Sequence, residues 1–144
     1  MRVLVQRVST AEVTVESARV ARIGKGYLLY VGIHHDDDDA TIVKMAEKIT
    51  NLRVFEDDQG KMNLNLKAID GAILAVSQFT LYGDTKGNNR PSFTQAASPD
   101  KAEALYDAFI SQLRMRHHVE SGVFAARMAV QAVNDGPVTI WIEM

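Results

Sequence analysis

The residues best suited to chemistry are Ser77-Gln78-Phe79-Thr80, two hydroxyls and an amide set at the end of the apolar run Ala72-Ile73-Leu74-Ala75-Val76. A run of that kind reads as a buried strand. A strand that ends in polar groups holds them rigidly where a core has just stopped. Such groups can position an ester or amide and polarise its carbonyl, with backbone amides and the Ser77, Gln78 and Thr80 side chains as donors. The plain alternative is an ordinary strand end with solvated hydroxyls. A second stretch, Asn134-Asp135-Gly136-Pro137-Val138-Thr139, bears on that choice. It places Gly136-Pro137 between two apolar stretches, and an X-Pro bond can be cis, which sets two carbonyls side by side.

Other chemistries find little support. The chain has no cysteine, which removes disulfides, thiolate metal sites and a cysteine nucleophile together. No Gly-x-Ser-x-Gly elbow surrounds Ser77, and no His-Glu-x-x-His is present. Gly24-Lys25-Gly26 lacks the longer cradle of a phosphate loop. His34-His35-Asp36-Asp37-Asp38-Asp39 could ligate a metal. The better reading places its acids at the start of a helix, where they cap free amides and oppose the dipole. Adjacent residues of an extended strand also point to opposite sides, which is poor geometry for one ion. His117 and His118 have no partner at helical spacing. No metal and no cofactor are expected.

The elements that must position these residues fit one domain over residues 1–144, with 47% hydrophobic residues and no linker, repeat or low-complexity tract. The net charge is −2 and the pI about 6.1, a poor signature for gripping a nucleic-acid backbone but no obstacle to holding only its end. There is no apolar run long enough for a membrane helix and no signal-peptide pattern at the start, so a cytoplasmic protein with no membrane partner is expected. Strands are expected around Val3 and Val5, over 12–16, and over Tyr27–Ile33, with turns at Ser17-Ala18 and Gly24-Lys25-Gly26. Ile42, Met45, Ala46, Ile49 and Leu52 mark one amphipathic helix. Ala102, Leu105, Tyr106, Phe109, Ile110 and Leu113 mark a second, with Ser98 at its N-cap and Pro99 at its first position. Thr85 to Phe93 is a polar loop beside the site, a wall or lid whose cations Lys86 and Arg90 suit phosphate. Strands over 128–133 and 138–142 are expected to form an antiparallel hairpin about Asn134–Pro137.

Ser77-Gln78-Phe79-Thr80-Leu81 and Asn134-Asp135-Gly136-Pro137-Val138-Thr139 resemble the two signature motifs of the D-aminoacyl-tRNA deacylases. The resemblance extends through Gln6-Arg7-Val8, Gly60-Lys61-Met62-Asn63, Arg90-Pro91-Ser92-Phe93, Ser98-Pro99 and Gly122-x-Phe124-Ala125-Ala126-x-Met128. It implies a layered α/β/β domain with mixed and antiparallel sheets and two main helices, assembled as a homodimer. It implies hydrolysis of the ester joining a D-amino acid, and glycine as well, to the 3′ end of tRNA. Ser77, Gln78, Phe79 and Thr80 would line the ester, and Phe124, Ala125 and Met128 the terminal adenosine. Gly136 and Pro137, steadied by Arg7, would enter the partner's site as a cis dipeptide and exclude L side chains by clash. A nucleophilic Thr80 would need a base, and none is near in sequence; a tRNA hydroxyl assisting water is the preferred alternative. Two other readings stay open: a small-molecule esterase or amidase with a Ser77 or Thr80 nucleophile, and a non-catalytic tRNA-end-binding module.

Overall fold

A computed structural model describes all residues 1–144. The chain runs β1 (Arg2–Val15), β2 (Ala18–Ile23), β3 (Gly26–Gly32), α1 (Asp39–Asn51), β4 (Arg53–Glu56), β5 (Met62–Asn65), β6 (Ala72–Ser77), α2 (Pro99–Arg114), β7 (Val119–Ser121) and β8 (Met128–Glu143). Short 3-10 turns occupy Lys67–Ile69 and Phe79–Tyr82. This is a single small α/β domain with a mixed sheet and two helices. β4 and β5 pair apart from the main sheet.

β1 organises the sheet because it is long enough to pair twice along one edge. Its first half pairs β3 and its second half pairs β2, both antiparallel, while β8 runs antiparallel along the other edge for the full length. β6 joins β3 in parallel, and β7 joins β6 in parallel. The turn between β1 and β2 is Glu16-Ser17, one residue earlier than expected, with both residues left-handed at φ 48° and 68°. Left-handed pairs are what a two-residue hairpin requires. Gly26 lies against the start of β6, where a Cβ would meet the Ala72 carbonyl oxygen at 1.8 Å, so only glycine lets these strands pair.

The larger core lies between the sheet and the helices. Val3, Val5, Tyr27, Leu29, Val31, Ile73 and Ala75 face Ile42, Met45 and Ile49 of α1 and Tyr106, Phe109, Ile110 and Leu113 of α2. The 3 and 4 spacing of those helical positions makes one apolar stripe per helix. Burying each large side chain contributes about 1.5–3 kcal/mol. A smaller core lies on the other sheet face, where Val8, Ala11, Val13, Ala21 and Ile23 fold over Leu28, Leu74 and Val76. Ile73 and Val76 thus face opposite layers, which explains why Ala72–Val76 is apolar throughout instead of alternating.

Two expectations need correction, and one strand had no expectation at all. The hairpin about Asn134–Pro137 does not form. Residues 128–143 are one strand, and both halves pair with β1, which offers a continuous edge. The stretch is instead a bulge: Gln6 pairs Thr139 and Val8 pairs Asn134, so residues 135–138 lie opposite Arg7 alone. β7 was not legible; three residues carry too little pattern. Second, the acids of 36–39 do not act together. Asp38 caps α1 by accepting from the Thr41 amide at 2.8 Å, which holds its carboxyl below the usual range. Asp37 turns inward, is 6% exposed, and accepts from the Met1 ammonium at 2.6 Å and the His34 amide at 2.7 Å. Ser98 sits at the N-cap of α2, but its side chain makes no capping bond.

Candidate active site

β6 carries the chain out of the core at Ser77, and the 3-10 turn Phe79–Tyr82 follows at once. Gln78 is pinned at the junction, its amide donating to the Val31 carbonyl at 2.7 Å, and its carbonyl accepts from Leu81 at 3.2 Å. The Gln78 side-chain amide donates to Thr80 Oγ1. Arg2 braces the turn from β1: one guanidinium nitrogen donates to the Leu81 carbonyl at 3.0 Å, and the group lies 4.4 Å over the Tyr82 ring. Burial, with the Asp37 carboxylate nearby, pushes the Tyr82 hydroxyl well above its ordinary pKa, so this tyrosine stays neutral.

Ser77, Gln78 and Phe79 form one wall of a pocket of about 620 Å³. Phe124, Ala125, Ala126 and Met128 form the facing wall, and Phe93, Ala96, Ala97, Pro99 and Ala102 close it from the loop and the start of α2. The structure therefore brings together two groups of predicted site residues that lie some 45 positions apart in the chain. Ala125 is left-handed at φ 58°, in a turn closed by the Ala126 amide on the Val123 carbonyl, which presents backbone to the pocket. Phe79 stays 56% exposed and meets Phe93 edge to face at 5.0 Å. Thr80 does not line the pocket; it reaches it through Gln78. No lining residue is Asp, Glu, His, Lys, Arg or Tyr. The side chains here can bind, orient and donate hydrogen bonds, but they supply no general base.

Gly136 and Pro137 lie elsewhere. Val130 is the last residue of β8 to line the pocket, and six further residues of strand cover about 20 Å. The Gly136-Pro137 bond is cis and both residues are exposed. The bulge is firmly held beneath. Arg7 is 5% exposed and donates to the Asp135 carbonyl at 3.0 Å and the Val54 carbonyl at 2.7 Å. Asn134 clasps the base, donating to Thr139 Oγ1 at 2.8 Å and accepting from the Val138 amide at 3.2 Å. Gly136 has φ 121°, and a Cβ there would come 2.7 Å from the Arg7 guanidinium. Sequence reading saw Asn134 only as a motif position. Its role as a clasp depends on bonds across the bulge that spacing does not reveal.

The loop carrying Lys86 and Arg90 is tied at its base by paired backbone bonds between Asp84 and Ser92, each 2.8 Å. Of its surroundings Phe93 reaches the pocket and the two cations do not. His34, His35 and Asp36 bring ligand atoms within 4.8 Å of one another, because the chain turns there instead of continuing as the strand assumed above. His34 Nδ1 already accepts from the Asp36 amide at 3.1 Å.

A family model for D-Tyr-tRNA(Tyr) deacylase matches residues 4–143. The chain belongs to that family. A protein of Exiguobacterium sp. named D-aminoacyl-tRNA deacylase is 56% identical, over 99% of this chain and 98% of its own length. One of the same name from Thermomicrobium roseum is 54% identical, over 99% and 94%. A solved structure titled c-Myc DNA Unwinding Element Binding Protein superposes with TM-score 0.95 at 40% identity, covering 100% of this chain and 99% of its own. A probable eukaryotic D-amino acid tRNA deacylase shares the fold, with TM-score 0.86 at 21% identity. As in its named relatives, the chain is an enzyme of the hydrolase class. No helix is long and apolar enough to cross a membrane.

Proposed function

We propose that the protein hydrolyses the ester of D-aminoacyl-tRNA, and of glycyl-tRNA, in the cytoplasm, releasing the amino acid and rejecting L-aminoacyl-tRNA. The observation that carries this reading is the pocket: apolar, of nucleoside size, and edged by Ser77 and Gln78 with no titratable side chain. The adenine and ribose of a tRNA end would lie against Phe124, Ala125 and Met128. The ester would rest on Ser77 to Thr80. The first amides of the Phe79–Tyr82 turn have no partner within the turn, and such donors stabilise the oxyanion that forms when an ester is attacked. With no protein base at hand, the vicinal ribose hydroxyl of the substrate would orient the attacking water and relay its proton to the departing ribose oxygen. Thr80 would then keep Gln78 in place.

Chirality would come from a second copy. Gly136 and Pro137 cannot reach their own pocket along β8, yet they stand exposed on a braced platform. β8 pairs only β1, so its outer edge is unpaired. Beside that edge Trp141 is 46% and Val133 55% exposed. A two-fold dimer across this region would bury them and seat each corner in the other's pocket. The carbonyls of Gly136 and Pro137 would occupy the space an L side chain needs, while glycine meets no obstacle. A duplex-DNA reading gains nothing from a net charge of −2 and a pocket without cations.

Purified protein incubated with D-tyrosyl-, L-tyrosyl- and glycyl-tRNA tests the proposal. Rapid loss of the D and glycyl esters with the L ester intact is expected, with or without chelator. An intact D ester ends the reading, and equal loss of D and L ends the gate.

A further inference from the structure

The pocket contains no cation, but a tRNA end carries a phosphodiester on the 5′ side of its terminal adenosine. That charge must leave the apolar pocket to find a partner, because an unpaired anion is costly to desolvate. A second cavity of about 570 Å³ adjoins the first across Met128, which lines both. Its character is the opposite: Thr14, Glu16, Ser17 and Arg127 supply polar groups around Ala129. Thr14 and the left-handed Glu16-Ser17 turn come from the far end of β1, and Arg127 stands just before β8. Arg127 is exposed and enters none of the chain's ion pairs, although Glu16 lines the same cavity. Lys86 and Arg90, the other cations near the site in sequence, line neither cavity.

We propose that this groove receives the phosphate and sugar joining the terminal adenosine to the preceding nucleotide, with Arg127 as the phosphate contact. The inference rests on the adenosine reading of Phe124, Ala125 and Met128 and extends the substrate site by one nucleotide. A guanidinium fork matches two phosphate oxygens. Thr14 and Ser17 can donate to phosphate or sugar oxygens, as hydroxyl side chains commonly do. Glu16 repels a phosphate and accepts from a ribose 2′-hydroxyl, the group that distinguishes RNA from DNA. The apolar pocket thus takes the base and the polar groove takes the backbone.

The test competes D-tyrosyl-tRNA cleavage with adenosine and with the dinucleotide cytidylyl-(3′,5′)-adenosine. For the wild type, the dinucleotide is expected to inhibit about tenfold more strongly, the worth of one charge-assisted contact. In Arg127→Gln that advantage shrinks below about threefold while adenosine inhibits as before. Arg127→Lys restores part of it. The salt dependence of dinucleotide inhibition also flattens, by about 0.7 in the log–log slope. Equal inhibition by both compounds in the wild type overturns the proposal, as does an advantage that survives Arg127→Gln. A wild type that cleaves no D-tyrosyl-tRNA overturns the functional reading instead. Calorimetric binding of the same two compounds then still decides the groove.

Discussion

The pocket floor and the Gly136-Pro137 corner are built by opposite means. The floor stands where a fully buried strand ends, enclosed by apolar walls from three separate stretches, and its polar groups face inward. The corner stands out from the sheet as a four-residue bulge opposite a single residue, lining neither of the two cavities described above. Yet the corner, like the floor, is firmly braced. A nearly buried arginine and the Asn134 clasp hold it from below. Under the proposed function, that rigidity would serve a second copy. Binding and chirality would thus be divided between surfaces that meet only on assembly.

The largest effect should come from separating the two surfaces. Trp141→Glu puts a charge beside the unpaired edge of β8. Light scattering should then show a monomer, and D-tyrosyl-tRNA turnover should fall about 100-fold, since even small misplacements of positioning groups cost that much. A monomer that still rejects the L ester would break the division outright. Gly136→Ala disturbs the corner alone, because its Cβ meets Arg7 and the Val138 side chain at 2.7 and 3.0 Å. Here the ratio of L to D cleavage, measured as kcat/KM, should rise by about 100-fold while the dimer persists. Ala126→Leu disturbs the pocket alone by filling its wall. KM should increase about tenfold with kcat and the D/L ratio unchanged, the signature of lost uniform binding.

Thr80→Ala removes the acceptor of the Gln78 bond and should cost about fivefold in kcat, the worth of one hydrogen bond near 1 kcal/mol. A loss beyond a thousandfold would instead make Thr80 the nucleophile. The smallest effect concerns neither region. His117 Nε2 is buried without a partner, and burial, then Arg116 and Lys67, lowers its pKa from 6.5. Its folded pKa lies below its unfolded one, so the unfolded chain takes up the proton first, and stability declines as pH falls below about 6.5. His117→Gln should flatten that decline in urea midpoints between pH 7 and pH 5 and leave the D/L ratio unmoved.

Much of this was legible beforehand. The strand Ala72–Val76, the two helical stripes, and Ser77–Phe79 at a strand end all follow from local patterns of apolar and polar residues. The resemblance assigned Phe124, Ala125 and Met128 to the terminal adenosine, and the structure puts them in one pocket with Ser77–Phe79. The course of the chain at Asn134–Pro137 was misjudged for a physical reason. Turn residues between two alternating segments signal a reversal, but a long partner strand can carry the chain straight on and absorb the excess as a bulge. Asp37 and Asp38 are neighbours of one type in one run, and only the fold turns one inward and leaves the other to cap a helix.

The sequence by itself determined which segments are buried, because burial follows from residue type and period. It also carried the family, through motifs spread along the whole chain. Only the tertiary structure decided that the end of β6 and the stretch from Phe124 to Met128 share one cavity, that no titratable side chain enters it, and that Arg7 and Asn134 brace a corner about 20 Å of strand away. These are relations between residues far apart in the chain. They depend on how β1 pairs with three strands at once, and no local pattern of residue types encodes that.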